Sequence, residues 1–344
     1  MKISFLVTYY NQQEYVKKSL ESILEIHKPC DWEILVGDDG SSDATTEIVR
    51  SYIDRYPENI KLYIMDREPG VSYSPVKRAS ANRINLLKHA KGDCFCTLDG
   101  DDYYCDKEFV EDAIRIMEQN DVVSVVAFGM RYVLDGTEGR SVALPDDLTE
   151  TVVDKKEYLK KYYLHAGACV HRICWNSNRI TEIEKIGYFD DNDIVINSLK
   201  YGEMYVVNRP IYAYRQTGDS VYTAMKVVEQ AVLNVQGLDV DVQLIESEYY
   251  DVLLERNATP IIMMFFWKKR LQKMLGDIKY RSYLQEAEEL AAGMQQDSLS
   301  AAIMEYDTLT REERKRVDAL VRGLEKKNPR YTFKTFCKYV LGVS

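Results

Sequence analysis

The stretch Cys94-Phe95-Cys96-Thr97-Leu98-Asp99-Gly100-Asp101-Asp102 joins a short apolar run to three aspartates within four positions. The apolar residues predict a buried strand, Cys94–Leu98, whose carboxyl end delivers the acidic side chains. Carboxylates this close repel one another, so each gains by taking up a proton or a cation. Mg²⁺ and Mn²⁺ prefer oxygen ligands and typically use one or two carboxylates together with substrate phosphates. The stretch therefore predicts a metal site that holds a diphosphate, and the alternative is an Asp-Gly turn on the surface.

Similar apolar runs recur along the first half of the chain, with amphipathic segments between them. They predict strands at Ile3–Val7, Trp32–Val36, Ile60–Met65, Cys94–Leu98 and Val122–Phe128. The intervening segments predict helices, of which Asn11 is the expected cap of the first and Ser74-Pro75 the expected start of the third. Repeated strand–helix units indicate an α/β fold, with a mostly parallel sheet flanked by helices.

Polar, turn-rich segments follow three of the predicted strands. They are Thr8–Asn11, Asp38–Asp43 and Asp99–Asp102. In open α/β sheets, ligands bind outside the carboxyl ends of the strands. The three segments are therefore expected to converge on one crevice, which predicts an active site there.

Composition excludes several other classes of protein. The net charge of −10 argues against general nucleic-acid binding. The seven cysteines are odd in number and form no Cys-x-x-Cys pair, which argues against a disulfide scaffold or a zinc site and fits a reducing cytoplasm. The apolar stretch at Ile3–Val7 is too short for a signal peptide, and no run approaches the roughly 20 apolar residues of a membrane span. A cytoplasmic protein is expected, either free or peripheral on the inner face of the cell membrane.

Three motifs together resemble the family 2 glycosyltransferases with the GT-A fold, which is Rossmann-like. They are Thr8-Tyr9-Tyr10-Asn11, the run from Val36 to Thr45 (VGDDGSSDAT), and Leu98-Asp99-Gly100-Asp101-Asp102. The resemblance covers roughly residues 1–220 and predicts a catalytic domain at 1–222. It implies an inverting, metal-dependent enzyme with a nucleotide-sugar donor, most often a UDP-sugar.

The resemblance also implies roles for individual residues. Thr8, Tyr10 and Asn11 would line the nucleotide-sugar site, where Tyr10 offers an aromatic face to the base. Asp39 would accept a hydrogen bond from the uracil ring N–H, and the alternative for it is a helix cap. Asp99 would contact the ribose or the metal.

The metal ligands are expected in the same acidic stretch. Asp101 would bind Mn²⁺ or Mg²⁺, and Asp102 would be a second ligand or a hydrogen-bonded support. Arg215 would reach the diphosphate, with a surface ion pair as the alternative.

Inversion needs a general base for the acceptor hydroxyl. In the resembled family, a Glu-Asp pair opens a helix at about the position of Asn192-Asp193, and its Asp is the usual base. Asp193 is therefore the predicted catalytic residue, with Asp190 and Asp191 as alternatives. The competing interpretation is that acidic residues gather here because a helix N-terminus favours negative charge.

Residues 223–344 predict a separate helical domain for acceptor, oligomer or membrane-surface contacts. Two segments in it, 260–270 and 329–341, combine apolar and basic residues. Such segments suit peripheral contact with an anionic membrane that carries a lipid-linked acceptor. Buried helix packing and a homodimer seam are the alternatives.

The favoured function is sugar transfer to a saccharide or lipid-linked saccharide acceptor in surface polysaccharide biosynthesis. A sugar-phosphate nucleotidyltransferase is the first alternative, but the first strand is followed by no Gly-rich, basic loop. A nucleotide-sugar-binding scaffold that has lost turnover is the second, and the missing Glu beside Asp193 supports it.

Overall fold

The computed structural model describes residues 1–134, 137–142, 148, 150–216, 227–266, 268 and 298–329. The chain divides into two compact units. One comprises Met1–Tyr158 with Tyr162–Gly218, and the other comprises Leu159–Lys161 with Asp219–Ser344. The predicted boundary between residues 222 and 223 lies outside the described residues and stays a prediction.

The first unit contains a sheet and its flanking helices. Its strands are β1 (Lys2–Tyr9), β2 (Asp31–Asp38), β3 (Ile60–Ile64), β4 (Cys94–Asp99), β5 (Tyr103–Tyr104), β6 (Val123–Leu134), β7 (Thr137–Val142), β8 (Thr151–Val153), β9 (Cys169–Arg172) and β10 (Glu203–Gln216). The helices are α1 (Gln13–Leu24), α2 (Thr45–Arg55), α3 (Pro75–His89), α4 (Phe109–Gln119), α5 (Lys155–Lys161), α6 (Ser177–Ile186) and α7 (Asp191–Leu199). The last three residues of α5, Leu159–Lys161, belong to the second unit.

Strand β1 lies at the centre of the parallel half of the sheet. It pairs in parallel with β2 on one side and with β4 on the other. Both neighbours cover its edges, and its side chains Ile3, Phe5, Leu6 and Val7 are buried. The chain adds β2 and β3 on one side and then crosses β1 to place β4 on the other, which creates the switch point where α/β folds bind ligands.

The strand order is β3-β2-β1-β4-β9-β6-β10-β5. The α/β class with flanking helices is confirmed, and the sheet is mixed, because β9 runs antiparallel to both β4 and β6. Strand β9 has four residues, a length that gives little periodicity to detect in a sequence. At the far edge, β5 pairs antiparallel with β10, which brings the residues after Asp99 next to Arg215.

Of the two predicted N-terminal helix caps, one is confirmed and the other is wrong. Ser74 caps α3 as expected, because its side chain accepts a hydrogen bond from Lys77 N. The prediction that Asn11 caps α1 is wrong, since the cap position is Gln12 and Asn11 has a left-handed backbone with φ of 51°. Asparagine tolerates this conformation better than most residues, which suits it to a tight turn.

The second unit is helical in its described part. Its helices are α8 (Val227–Leu244), α9 (Tyr250–Arg256), α10 (Ala258–Phe266), α11 (Leu299–Met304) and α12 (Arg311–Lys327). Helix α10 contacts α8 and α12 and buries Ile261, Ile262, Met264, Phe265 and Phe266. These residues pack within the helical unit, in agreement with the alternative prediction that the segment 260–270 is buried by helix packing. Residues 267, 269–270 and 330–341 lie outside the described part.

No helix in the described part of the chain has both the length and the apolar character required to cross a bilayer.

Candidate active site

The carboxyl ends of β1, β2 and β4 lie side by side. The registers pair Thr8 with Gly37 and Tyr9 with Asp38 on one side of β1, and Thr8 with Asp99 on the other. The Thr8 hydroxyl also donates a hydrogen bond to Asp99 Oδ1 at 3.3 Å. The three polar segments therefore converge as predicted.

The first two of these segments are tied together by polar bonds. The Asn11 N–H donates to Ser41 Oγ at 2.8 Å, and Asn11 Oδ1 accepts from Ser42 N at 2.8 Å. Asp43 accepts from Gln13 N at 3.1 Å and from Thr45 N at 3.0 Å. Asn11 thus holds one loop against the other, which fixes the position of its neighbour Tyr10.

A carboxylate between two guanidinium groups lies at the end of β2. Arg67 donates to Asp39 Oδ2, and Arg78 donates to Asp39 Oδ1. The Arg67 guanidinium also lies 3.9 Å from the ring centroid of Tyr10, which is 44% exposed. A carboxylate has about four acceptor sites, so Asp39 can still accept a further N–H beside a flat aromatic surface.

Asp99 lies in a partly buried ion-pair network. The Arg83 guanidinium donates to Asp99 Oδ1 at 2.9 Å and to Asp190 Oδ1 at 2.8 Å, so it joins β4 to the start of α7. Burial alone would raise the pKa of Asp99, but Arg83 and then His165 outweigh it and lower that pKa below 3.8. Asp99 is therefore held as a carboxylate.

Asp102 closes the turn that follows β4. Its N–H donates to the Asp99 carbonyl at 2.9 Å, and Gly100 fits within the turn only because it lacks a Cβ, which would lie 2.1 Å from Tyr9 Cδ1. Both carboxylate oxygens of Asp102 are occupied: Oδ2 accepts from the Tyr212 hydroxyl and Oδ1 from the Arg215 N–H, each at 2.7 Å. Asp102 therefore has the geometry of a hydrogen-bonded support, which is one of the two roles predicted for it.

Asp101 has the properties expected of a metal ligand. Burial and then the neighbouring Asp99 raise the pKa of Asp101 to about 6, and Arg215 and Gln12 compensate its negative charge only in part. The side chain remains partly exposed, and the Gln12 side chain hydrogen-bonds to it. A hard divalent cation that binds oxygen would neutralise the Asp101 carboxylate, so Asp101 is suited to be its ligand.

The Arg215 side chain lies beside this turn. Its guanidinium is 5.1 Å from the Tyr15 ring centroid and 5.0 Å from that of Tyr103. Arg215 Nε is buried and has no hydrogen-bond partner among the described residues. A buried N–H of this kind favours an anionic ligand, since leaving it unpaired costs about 1–3 kcal/mol.

The acidic residues that open α7 face different surroundings. Asp193 is 2% exposed, and its Oδ2 accepts from the Asp190 N–H at 2.7 Å, which closes the first helical turn. Asp191 lies toward the crevice, where its Oδ2 is 3.4 Å from His165 Nε2. Burial raises the pKa of Asp191 to about 6, Asp190 adds to that effect, and His165 and Arg83 oppose it.

The site contains residues that the sequence analysis missed, namely Arg67, Arg78, Arg83, His165 and Tyr212. Arg83 offered a signal, because it lies in the buried stripe of α3 with Ile84 and Leu87, and a charged residue there requires partners. The others come from separate parts of the chain and carry no local pattern.

The sequence that forms this site matches the profile of a known family. The profile described as Glycosyl transferase family 2 matches residues 4–182, which is just over half of the chain. The chain belongs to this family of glycosyltransferases.

Curated relatives align over shorter stretches. The putative glycosyltransferase EpsE of Bacillus subtilis is 32% identical over 130 residues, which cover 38% of this chain and 43% of EpsE. The poly(ribitol-phosphate) beta-N-acetylglucosaminyltransferase TarS of Staphylococcus aureus is 31% identical over 121 residues, which cover 35% of this chain and 19% of TarS. The chain therefore spans less than half the length of these relatives.

The fold extends further than the sequence likeness. The crystal structure of S. aureus TarS 1-349 matches with a TM-score of 0.60 at 19% identity, over 100% of this chain and 92% of that one. The predicted glycosyltransferase fold with a helical region after the sheet is thereby confirmed.

Proposed function

We propose that this glycosyltransferase inverts the anomeric centre of a UDP-sugar as it transfers the sugar to a saccharide or lipid-linked saccharide acceptor. The observation that carries the proposal is the position of Asp191, a carboxylate on the crevice side of α7. His165 lies between Asp191 and Asp99 at the end of β4, and Arg83 joins Asp99 to the neighbouring Asp190.

The base assignment thus moves from Asp193 to Asp191. The acidic pair that opens α7 is Asp190-Asp191, so the absence of a Glu beside Asp193 no longer argues for a scaffold without turnover. An inverting reaction needs a carboxylate on the face opposite the leaving group, within reach of the attacking hydroxyl. Asp191 has an 18% exposed side chain and meets that requirement better than Asp193 does.

The donor would lie across the ends of β1, β2 and β4. Uracil would stack on Tyr10 and donate its ring N–H to Asp39, beside Arg67 and Arg78. A crystal structure of S. aureus TarS 1-349 contains UDP-GlcNAc, which supports a UDP-sugar donor for a chain of the same fold. The Thr8–Asp99 region would contact the ribose.

Asp101 would hold Mn²⁺ or Mg²⁺, supported by the turn that Asp102 and Tyr212 fix. When bound, the cation would offset the charge that develops on the departing diphosphate. Arg215 would contribute the unpartnered Nε–H to the same phosphates. A role in surface polysaccharide synthesis is supported by relatives such as TarS and the teichoic acid poly(glycerol phosphate) polymerase of Staphylococcus epidermidis.

The donor class is tested by titrating the full chain with UDP-, GDP- and dTDP-sugars in the presence of Mn²⁺. Thermal shift reports binding, because a ligand that binds only the folded state raises its stability. Release of the nucleoside diphosphate by donor hydrolysis reports turnover. We expect UDP-sugars to give the largest shift and slow release of UDP, whereas binding without hydrolysis of any donor would contradict the enzymatic proposal.

A further inference from the structure

His165 lies between the base and β4 in an orientation that is fixed by its own backbone turn. It caps the 3₁₀ turn Ala166–Ala168, and its Nδ1 accepts a hydrogen bond from the Gly167 N–H at 3.1 Å. Gly167 is held close to the Tyr212 ring, since a Cβ at this position would lie 2.3 Å from Tyr212 Cε2. The N–H that orients the imidazole is therefore itself fixed by packing.

Two aromatic rings restrict the imidazole from its other sides. The ring centroid of His165 lies 4.8 Å from that of Tyr212 and 5.5 Å from that of Tyr214. The side chain is 12% exposed. The imidazole is thus restricted in orientation, and its Nε2 lies 3.4 Å from Asp191 Oδ2.

The bond from Gly167 also selects the tautomer. A neutral imidazole has one donor and one acceptor nitrogen, and the hydrogen bond to one nitrogen decides which of them carries the proton. Because Nδ1 accepts from Gly167, the proton is on Nε2. That nitrogen lies 3.4 Å from Asp191 Oδ2 and 3.9 Å from Asp99 Oδ2.

We propose that His165 is a positioning residue, whose Nε2–H holds the Asp191 carboxylate in the rotamer that receives the acceptor hydroxyl proton. The inference rests on the proposed role of Asp191. With the His165 Nε2–H on Oδ2 of Asp191, the Oδ1 atom of Asp191 would take the proton. The same N–H would stabilise the Asp191 carboxylate beside Asp99 and Asp190, which carry like charges. The distance of 3.4 Å is longer than a mature hydrogen bond, and such contacts tighten when substrate binds.

Two substitutions separate this role from simple packing. In His165→Asn, the amide can replace Nδ1 as the acceptor for Gly167, but the side chain ends too early to reach Asp191. In His165→Gln, the longer side chain places an amide N–H near the position of Nε2. If His165 only fills space or caps the turn, the Asn variant should retain more activity than the Gln variant. If His165 positions Asp191, the Gln variant should retain more activity than the Asn variant.

The assay measures UDP release from UDP-GlcNAc and Mn²⁺ by the full chain, together with UDP affinity by calorimetry and the melting temperature. We expect His165→Asn to lower kcat about 10- to 100-fold, a typical effect of removing a partner that orients a site residue. UDP affinity should not change, and His165→Gln should recover most of the lost rate. Equal rates in both variants, or a faster Asn variant, would overturn the proposal.

A second readout does not depend on turnover. The chain has four histidines, so ¹⁵N-labelled protein gives a simple imidazole spectrum, in which His165 is assigned by its loss in the Asn variant. At pH 8 we expect the Nε2–H pattern, and we expect Asp191→Asn to shift that Nε2 resonance. An Nδ1–H pattern, or no shift in the Asp191 variant, would overturn the inference.

The two proposals fail in different ways. If the wild type hydrolyses no donor sugar, the proposed function fails, and the Asp191-dependent shift still decides whether the two side chains are paired. If the wild type is active and Asp191→Asn is not, but His165→Asn keeps the full rate, the role of His165 alone is wrong.

Discussion

Replacing Asp191 and Asp193 separately by Asn gives a sharp test of the site. Both changes substitute an amide for a carboxylate at nearly the same size, two residues apart on α7. Asp191→Asn removes the proposed base, whereas Asp193→Asn keeps an amide oxygen that can accept the Asp190 N–H. The two variants are therefore matched controls for each other.

The expected loss follows from the surroundings of Asp191. Because its pKa is about 6, most of its population is ionised at pH 7.5 and available as a base. The nearby Asp99 is bound by Arg83 at 2.9 Å and is a poor substitute. General-base catalysis contributes about 10²–10⁴-fold, or about 2.7–5.4 kcal/mol, and Asp191→Asn should lose that amount from kcat. Asp193→Asn should stay within about threefold of the wild type.

The Asp191→Asn substitution should lower activity without lowering stability. Its pKa rises from 3.8 in a model peptide to about 6 in the folded protein, so its ionised form disfavours folding. The stability it contributes is present below pH 4 and is lost as the pH rises through about 6. At pH 7.5, Asp191→Asn should therefore melt at the same temperature as the wild type or higher.

The assay is UDP release from UDP-GlcNAc with Mn²⁺, measured beside melting curves for the wild type and both variants. An Asp191 variant that keeps its rate within tenfold, or a well-folded Asp193 variant that loses it, would refute the base assignment.

Three further outcomes are expected. The value of kcat/KM for wild-type donor hydrolysis should rise with pH through about 6 and level off above it, since the base must lose its proton, and a profile that is flat from pH 5 to 8 would contradict this. Asp101→Asn should weaken Mn²⁺ binding, measured by calorimetry with UDP present, at least tenfold (about 1.4 kcal/mol) without lowering the melting temperature; unchanged Mn²⁺ affinity would remove Asp101 from the metal site. Tyr212→Phe should lower the free energy of unfolding by about 1–3 kcal/mol, because the buried Asp102 loses the hydroxyl that donates at 2.7 Å, and an unchanged chemical-denaturation midpoint would show that this bond is not needed.

Much of the fold could be predicted from local pattern. The apolar runs identified β1, β2, β3 and β4 with small errors at their ends, because strands that are buried on both faces leave a continuous hydrophobic signal. They also identified the start of β6, but this strand continues to Leu134, six residues beyond the predicted end, where its side chains are less buried. The convergence of Thr8, Asp39 and Asp99 followed from parallel pairing alone, since parallel strands end at the same edge of a sheet.

The antiparallel strand β9, His165 before it and the site role of Tyr212 on β10 could not be found in this way. His165 and Tyr212 act through contacts with residues far away in the chain, and their neighbours in sequence form no repeated pattern. Arg83 was visible only as a charge in an apolar stripe, which indicates that a partner exists without indicating which one.

The amino-acid sequence by itself determined that carboxylates would gather where β4 ends and where α7 begins. Only the tertiary structure decided which of them face the crevice. Residues two positions apart on a helix point about 200° away from each other at 3.6 residues per turn, so Asp191 and Asp193 cannot share one environment. Packing of α7 against the sheet selects the side that meets His165, and that selection depends on contacts across the fold that no local motif encodes.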